Sequence, residues 1–234
     1  MVFSTPLVNY PAVKSCWIYK GLRLGWAENW MWLTSLSQAE MKPVSSASID
    51  RIREFQAGRH CARAVLATWG QDNTSLLVQP DRQPAWPSGF VGSISHSASE
   101  CIVVVGKASH YMGVGIDIEP HRALCKNVIR MITTACERRW LEGVEVDQHN
   151  RLARLLFSAK ESFFKCFYSA FGIKLGFRDV SFTLDPVSQI LRYQYKISQI
   201  LPPNYDRLRG RYWLGRNHFI TLFFIPANNG TANR

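Results

Sequence analysis

Gly115-Ile116-Asp117-Ile118-Glu119 is the stretch from which the rest of the chain can be read. Side chains alternate across a strand, so Ile116 and Ile118 share one face while Asp117 and Glu119 share the other. Two like charges side by side on a strand are destabilising unless something positive offsets them. A second segment, Phe157-Ser158-Ala159-Lys160-Glu161-Ser162-Phe163-Phe164-Lys165, lies inside a long amphipathic helical pattern. There Glu161 and Lys165 are four residues apart and neighbours on one helix face. Taken alone they are a surface pair of a few tenths of a kcal/mol. Two carboxylates on a strand and a third on a helix nevertheless suit a hard divalent cation. Magnesium takes oxygen ligands and is usually completed by water and substrate phosphate.

Bulk properties bound the alternatives. The 234 residues are 47% hydrophobic and 19% charged, which fits a folded chain with a sizeable core. Lysine and arginine number 28 against 17 acidic residues, a net charge of +11. That excess favours acidic or polyanionic partners. The basic residues are dispersed, and no nucleic-acid-binding motif is recognisable. The six cysteines, Cys16, Cys61, Cys101, Cys125, Cys136 and Cys166, have no zinc-like spacing and read as reduced, largely buried thiols. No signal sequence and no run of membrane-spanning length is apparent, so a cytoplasmic protein is expected.

Along the chain, residues 1–45 are rich in aromatics (Trp17, Trp26, Trp30, Trp32) and read as short strands and one short helix. A helical pattern runs from Ala47 to about Trp69, with Arg51, Arg53, Arg59 and Arg63 largely off its apolar stripe. After a proline-rich loop come strands at Val91–Ser97, Cys101–Lys107 and Tyr111–Glu119, the first two joined by a turn at Ala98, Ser99 and Glu100. A partly basic segment leads to a short helix, Thr134–Leu141, and then the long helix Asp147–Phe171, stopped at Gly172. Four late strands are expected: Val180–Leu184, Ile190–Ile197, Leu208–Trp213 and His218–Ile225. The pattern permits an α+β fold of two halves meeting near residue 112.

Five blocks in order carry a family resemblance. They are Glu54-Phe55-Gln56-Ala57-Gly58-Arg59-His60-Cys61-Ala62-Arg63, then Arg82-Gln83-Pro84-Ala85-Trp86-Pro87, then Gly92-Ser93-Ile94-Ser95-His96-Ser97, and the strand and helix motifs above. Together they resemble the 4′-phosphopantetheinyl transferases of the larger, surfactin-synthetase-activating type, and within it the enterobactin synthetase component D branch. The resemblance implies two similar α/β subdomains in pseudo-twofold arrangement with the active site between them. Residues 1–111 would supply coenzyme A contacts, residues 112–226 the magnesium site and catalytic helix, and 227–234 a disordered tail.

The same resemblance implies site roles. Asp117, Glu119 and Glu161 would bind Mg2+ or Mn2+, with Glu161 as metal ligand or general base. Lys165 would neutralise the diphosphate and assist the leaving group. Ser95 and His96 would meet the diphosphate, and Arg53, Arg59, Arg63 and Arg82 the phosphates or adenine of coenzyme A. Lys160, about 140° around the helix from Lys165, is either a phosphate contact or structural, and Ser158 is equally open. The reaction would move phosphopantetheine from coenzyme A to a serine of an apo acyl, peptidyl or aryl carrier protein, releasing adenosine 3′,5′-bisphosphate. An acidic carrier would dock near His121–Ile129, where Arg122 and Lys126 mix with Leu124, Val128 and Ile129. Membrane and nucleic acid are not expected as partners, and a monomer is. The rival reading is a basic, non-catalytic module that binds nucleic acid or an acidic protein.

Overall fold

The computed structural model describes residues 5–7, 10–28, 36–72, 74–97, 100–196 and 201–227. Trp30 and Trp32, the turn residues Ala98 and Ser99, Ile197 and the tail 228–234 lie outside them. Two five-stranded antiparallel sheets organise the chain. The first contains β1 (Thr5–Leu7), β2 (Tyr10–Tyr19), β3 (Leu22–Glu28), β4 (Phe90–Ser97) and β5 (Glu100–Lys107), in the order β1-β2-β3-β5-β4. The second contains β6 (Tyr111–Pro120), β7 (Val180–Asp185), β8 (Ile190–Tyr195), β9 (Arg209–Leu214) and β10 (His218–Pro226), in the order β6-β10-β9-β8-β7. The helices are α1 (Gln38–Met41), α2 (Ile49–Ala67), α3 (Lys126–Ile132), α4 (Ala135–Glu142) and α5 (Val146–Phe171).

Alternation along the strands explains the layering. On β5, Cys101, Val103 and Val105 pack with Ala57, Cys61, Ala62 and Val65 of α2. Ile102 and Val104, pointing the other way, pack with Val114, Ile116 and Ile118 of β6 and Leu222 and Phe224 of β10. The first sheet is therefore covered by a helix on one face and by the second sheet on the other. Such double coverage accounts for the unbroken apolar run of β5. The opposite face of the second sheet receives α5, whose buried Phe163 and Phe167 meet Phe182 and Phe223. Each such ring contributes roughly 1.5–3 kcal/mol of burial.

On β6 the face turned to α5 reads Gly113, Gly115, Asp117, Glu119. A Cβ on Gly115 would lie 2.0 Å from the Ser162 carbonyl oxygen and 2.4 Å from the Cys166 nitrogen. One on Gly113 would lie 2.7 Å from the Cys166 carbonyl oxygen. The helix backbone thus rests directly on the strand, and the two carboxylates begin where the glycines end. Hydroxyls pin the helix there: Ser162 donates to Thr221 (2.8 Å), Thr221 donates to the Ser158 carbonyl (2.8 Å), and Ser158 Oγ lies 2.9 Å from Thr221 Oγ1. Ser158 is therefore a packing group. Gly172, with φ of 67°, ends α5 in the left-handed region where glycine is at least cost.

The expected elements recur with ends shifted by a residue or two, except that the basic segment before Thr134 contains α3. All six cysteines are free; Cys125 and Cys136 are exposed and the other four buried. No helix among the described residues is long and apolar enough to cross a membrane. Gly115→Ala is expected to destabilise the protein by about 3 kcal/mol or to prevent folding, because the obstacle is backbone that cannot yield. Gly143→Ala, whose Cβ would sit 3.6 Å from its nearest neighbour, should stay within about 0.5 kcal/mol of wild type in urea titration.

Candidate active site

The two sheets meet edge to edge at β4 and β6, and serines make the junction. Ser93 Oγ accepts the Ile116 amide (3.1 Å), and Ser95 Oγ donates to Asp117 Oδ1 (2.8 Å). Lys165 reaches the same place from α5, donating to Asp117 Oδ1 (2.7 Å), Ser95 Oγ (3.2 Å) and the Ile116 carbonyl (3.2 Å). Ser95, Asp117 and Lys165 therefore form one cluster drawn from three elements. Asp117 is 4% exposed, and its Oδ2 is buried with no hydrogen-bond partner among the described residues. An unpartnered buried carboxylate oxygen is costly and calls for a donor or a cation.

Glu119, two residues on, is bound by Arg154 of α5 through Nη1 (2.8 Å). Burial, then the charge of Asp117, raise its carboxyl to about 7 against the opposing pull of Arg154 and Lys165. Glu161 is also raised, by burial first and by Asp117, with Lys165 pulling the other way. None of the described residues donates a hydrogen bond to it. Among the described residues no set of three or more His, Cys, Asp or Glu side chains is gathered closely enough to hold a metal ion. The donors suit a hard cation in kind and in unmet charge, while Lys165 and Arg154 sit on two of them.

On the α2 side, His96 is held by Arg51, whose Nη1 donates to Nε2 (2.7 Å), with Glu54 3.7 Å from Nδ1. Burial lowers the imidazole pKa; Glu54 raises it, and Arg51 and Lys165 lower it again. The ring is consequently a neutral hydrogen bonder at physiological pH. Next to the cluster opens a cleft of about 420 Å³ between the two halves, lined by Arg82, Ser93, Phe164, Lys165, Tyr168 and Lys174 among others. Arg82 adopts φ of 73° in a turn that Asp81 organises by accepting from the Gln83 amide (3.0 Å) and from Tyr168 Oη (3.3 Å).

Several expected phosphate contacts lie elsewhere. Lys160 is fully buried; it is ion-paired with Glu137 (3.0 Å) and donates to the carbonyls of Phe177 and Val180. It ties α5 to α4 and β7 and cannot meet a ligand. Arg59 is 5% exposed, donates to the Leu76 carbonyl and lies over the Phe55 ring. Arg63 pairs with buried Glu40 and donates to the Thr74 carbonyl. These two arginines fasten the loop after α2 and do not line the cleft. Arg53 is exposed beside Asp50. Arg51, Arg154, Tyr168 and Lys174 were not singled out from sequence. For Arg154 a signal existed: it precedes Glu161 by seven residues and so shares its helix stripe.

Comparison with known proteins agrees in one direction. Residues 39–106 match the model of the 4′-phosphopantetheinyl transferase N-terminal domain, and residues 113–219 that of the 4′-phosphopantetheinyl transferase superfamily. The 4′-phosphopantetheinyl transferase Svp of Streptomyces mobaraensis is 33% identical over 201 residues, 82% of this chain and 80% of its own. The transferase PptT of Mycobacterium tuberculosis is 32% identical, over 80% of this chain and 85% of its own. Enterobactin synthase component D of Escherichia coli is 33% identical over 58% of this chain and 61% of its own.

The raised carboxyl of Glu119 has a definite sign. Its pKa in the folded state, about 7, exceeds the ordinary 4.5, so folding binds a proton more tightly there. Its contribution to stability is complete below the ordinary value and is lost as pH rises toward 7. In metal-free buffer the melting temperature of Glu119→Gln should gain on wild type as pH climbs through that window. A constant difference would contradict the assignment.

Proposed function

This chain belongs to the 4′-phosphopantetheinyl transferase family, and from that premise we propose that the cluster at the β4–β6 junction moves phosphopantetheine from coenzyme A to a carrier-protein serine. The observation that carries the reading is the convergence of Ser95, Asp117 and Lys165, with Glu161 beside them, next to the cleft that Lys165 lines. We assign the nucleotide contacts of coenzyme A to residues 1–111 and the acid–base chemistry to residues 112–226. Ser95, His96 and Arg51 would bind the diphosphate from one side and Lys165 from the other. Arg82 and Lys174 place two more cations along the cleft, while Phe164, Phe167, Ile173 and Leu175 give it an apolar wall suited to the pantetheine arm.

The serine oxygen bonds to the β-phosphorus, and the bond from that phosphorus to the bridging oxygen breaks. Adenosine 3′,5′-bisphosphate leaves with the bridging electrons, stabilised by the ammonium of Lys165. The serine proton passes to Glu161, whose carboxyl is held above its ordinary value by burial and by Asp117 and is the stronger base for it. Asp117, Glu119 and Glu161 are the side chains that would hold Mg2+ or Mn2+ once drawn closer together than they stand here and released by Lys165 and Arg154; the ion when bound would screen the diphosphate charge. Positioning and electrostatics, rather than covalent steps on the protein, supply most of the rate.

The carrier would approach at the segment His121–Ile129 and the rest of α3. Arg122, Lys126 and Arg130 are exposed there, as is Met131 at 53%. Leu124 and Ile129 instead pack into the core of the second half, so they leave the docking surface they were expected to join. Basic residues around an exposed methionine suit an acidic helix with an apolar stripe.

Incubation with coenzyme A, Mg2+ and a panel of apo carrier proteins, followed by intact-protein mass measurement, tests the reading. A phosphopantetheinyl mass gain is expected, abolished by chelation and by Glu161→Gln. Lys165→Ala should lower kcat about a hundredfold. No mass gain on any carrier despite coenzyme A binding would contradict the partner assignment, and no coenzyme A binding would contradict the whole.

A further inference from the structure

Arg154 makes three bonds with one guanidinium. Nη1 donates to Glu119 Oε2 (2.8 Å), Nε to the Arg122 carbonyl (2.9 Å) and Nη2 to the Ala123 carbonyl (3.1 Å). Its side chain is 15% exposed and that of Glu119 18%. The segment it grips, residues 121–125, has no regular secondary structure and leads into α3. Among the described residues, that segment's other backbone ties lie at its two ends: His121 N to Asn217 O (3.0 Å) and Arg122 N to Pro120 O (2.7 Å) at the start, and Ile129 N to Cys125 O (3.1 Å) where α3 begins. Between those ends, the anchors among the described residues are Arg154 and the packing of Leu124. A planar fork with fixed donor directions can hold a carboxylate and two carbonyls in one geometry, which a lysine cannot.

The position of Arg154 gives these bonds a functional meaning. Arg154, Glu161 and Lys165 fall on one stripe of α5, and Glu119 and Asp117 on the facing strand. The same side chain that sets the Glu119 carboxylate also sets the first turn of the basic surface carrying Arg122 and Lys126. We propose that Arg154 is a positioning residue for carrier recognition, a strut that fixes segment 121–125 relative to the carboxylate pair so that a docked carrier presents its serine to the site. The inference rests on the transferase reading above. It assigns Arg154 no contact with coenzyme A, because Arg154 does not line the cleft and each of its three guanidinium nitrogens already donates to Glu119 or the segment.

The test uses the full chain with Arg154→Lys and Arg154→Gln. The readouts are KM for an apo carrier protein, kcat, coenzyme A affinity by calorimetry, and amide hydrogen exchange across 121–126 in the ligand-free protein. Both variants should raise the carrier KM about tenfold and speed exchange in 121–126, with coenzyme A affinity unchanged. Lysine keeps a charge beside Glu119 but loses the fork, so a raised KM in Arg154→Lys separates the strut from simple charge. An unchanged carrier KM in both variants overturns the inference while leaving the transferase reading intact. Loss of coenzyme A affinity in parallel overturns it too, by marking general damage. Wild-type protein that modifies no carrier removes the reading and the inference together.

Discussion

The site exists because a helix lies in backbone contact with a strand. Gly113 and Gly115 leave no room for even a methyl group between β6 and α5. This closeness brings a helix stripe of Arg154, Glu161 and Lys165 over a strand face of Asp117 and Glu119. Thr221, in register with Asp117 on β10, holds the helix by bonds to Ser158 and Ser162. A larger residue at either glycine would lift the helix and separate charges that act only at short range. Lys165 must also cross to Ser95 on β4, so the same contact fastens the two sheets at their shared edge.

The charges that meet there alternate: Lys165 on Asp117, Glu161 without a donor among the described residues, Arg154 on Glu119. Three carboxylates against two cations leave one negative charge in a largely buried place. Burial and the charge of Asp117 raise Glu119 and Glu161, and Asp117 Oδ2 has no hydrogen-bond partner among the described residues. A site in this state is poised for added positive charge. It also supplies, in Glu161, a base strengthened by burial and by the charge of Asp117, which suits proton abstraction from a serine hydroxyl.

Local pattern made part of this legible in sequence. Period-two alternation put Asp117 and Glu119 on one face, and a four-residue spacing joined Glu161 to Lys165. What failed was partner choice across the fold. Lys160 looks like a motif lysine, yet its partner Glu137 sits on another helix where it also caps Thr134. Arg59 and Arg63 look like a phosphate-binding pair, yet buried Glu40, on a four-residue helix with no periodic signal, draws one of them inward. The carbonyls of Leu76 and Thr74 complete the pull. Arg51 reaches His96, 45 residues on, only because β4 packs beside α2. The helix stripe that Arg154 shares with Glu161 was legible, but two of its acceptors are backbone carbonyls, which carry no side-chain signature.

Anomalous scattering from crystals grown with coenzyme A and Mn2+ is the most direct test of the part assigned to Asp117, Glu119 and Glu161. The account predicts an anomalous peak within bonding distance of Asp117, with Lys165 displaced toward the diphosphate. A peak remote from Asp117, Glu119 and Glu161, or a Lys165–Asp117 pair left intact around bound coenzyme A with no metal, would contradict it.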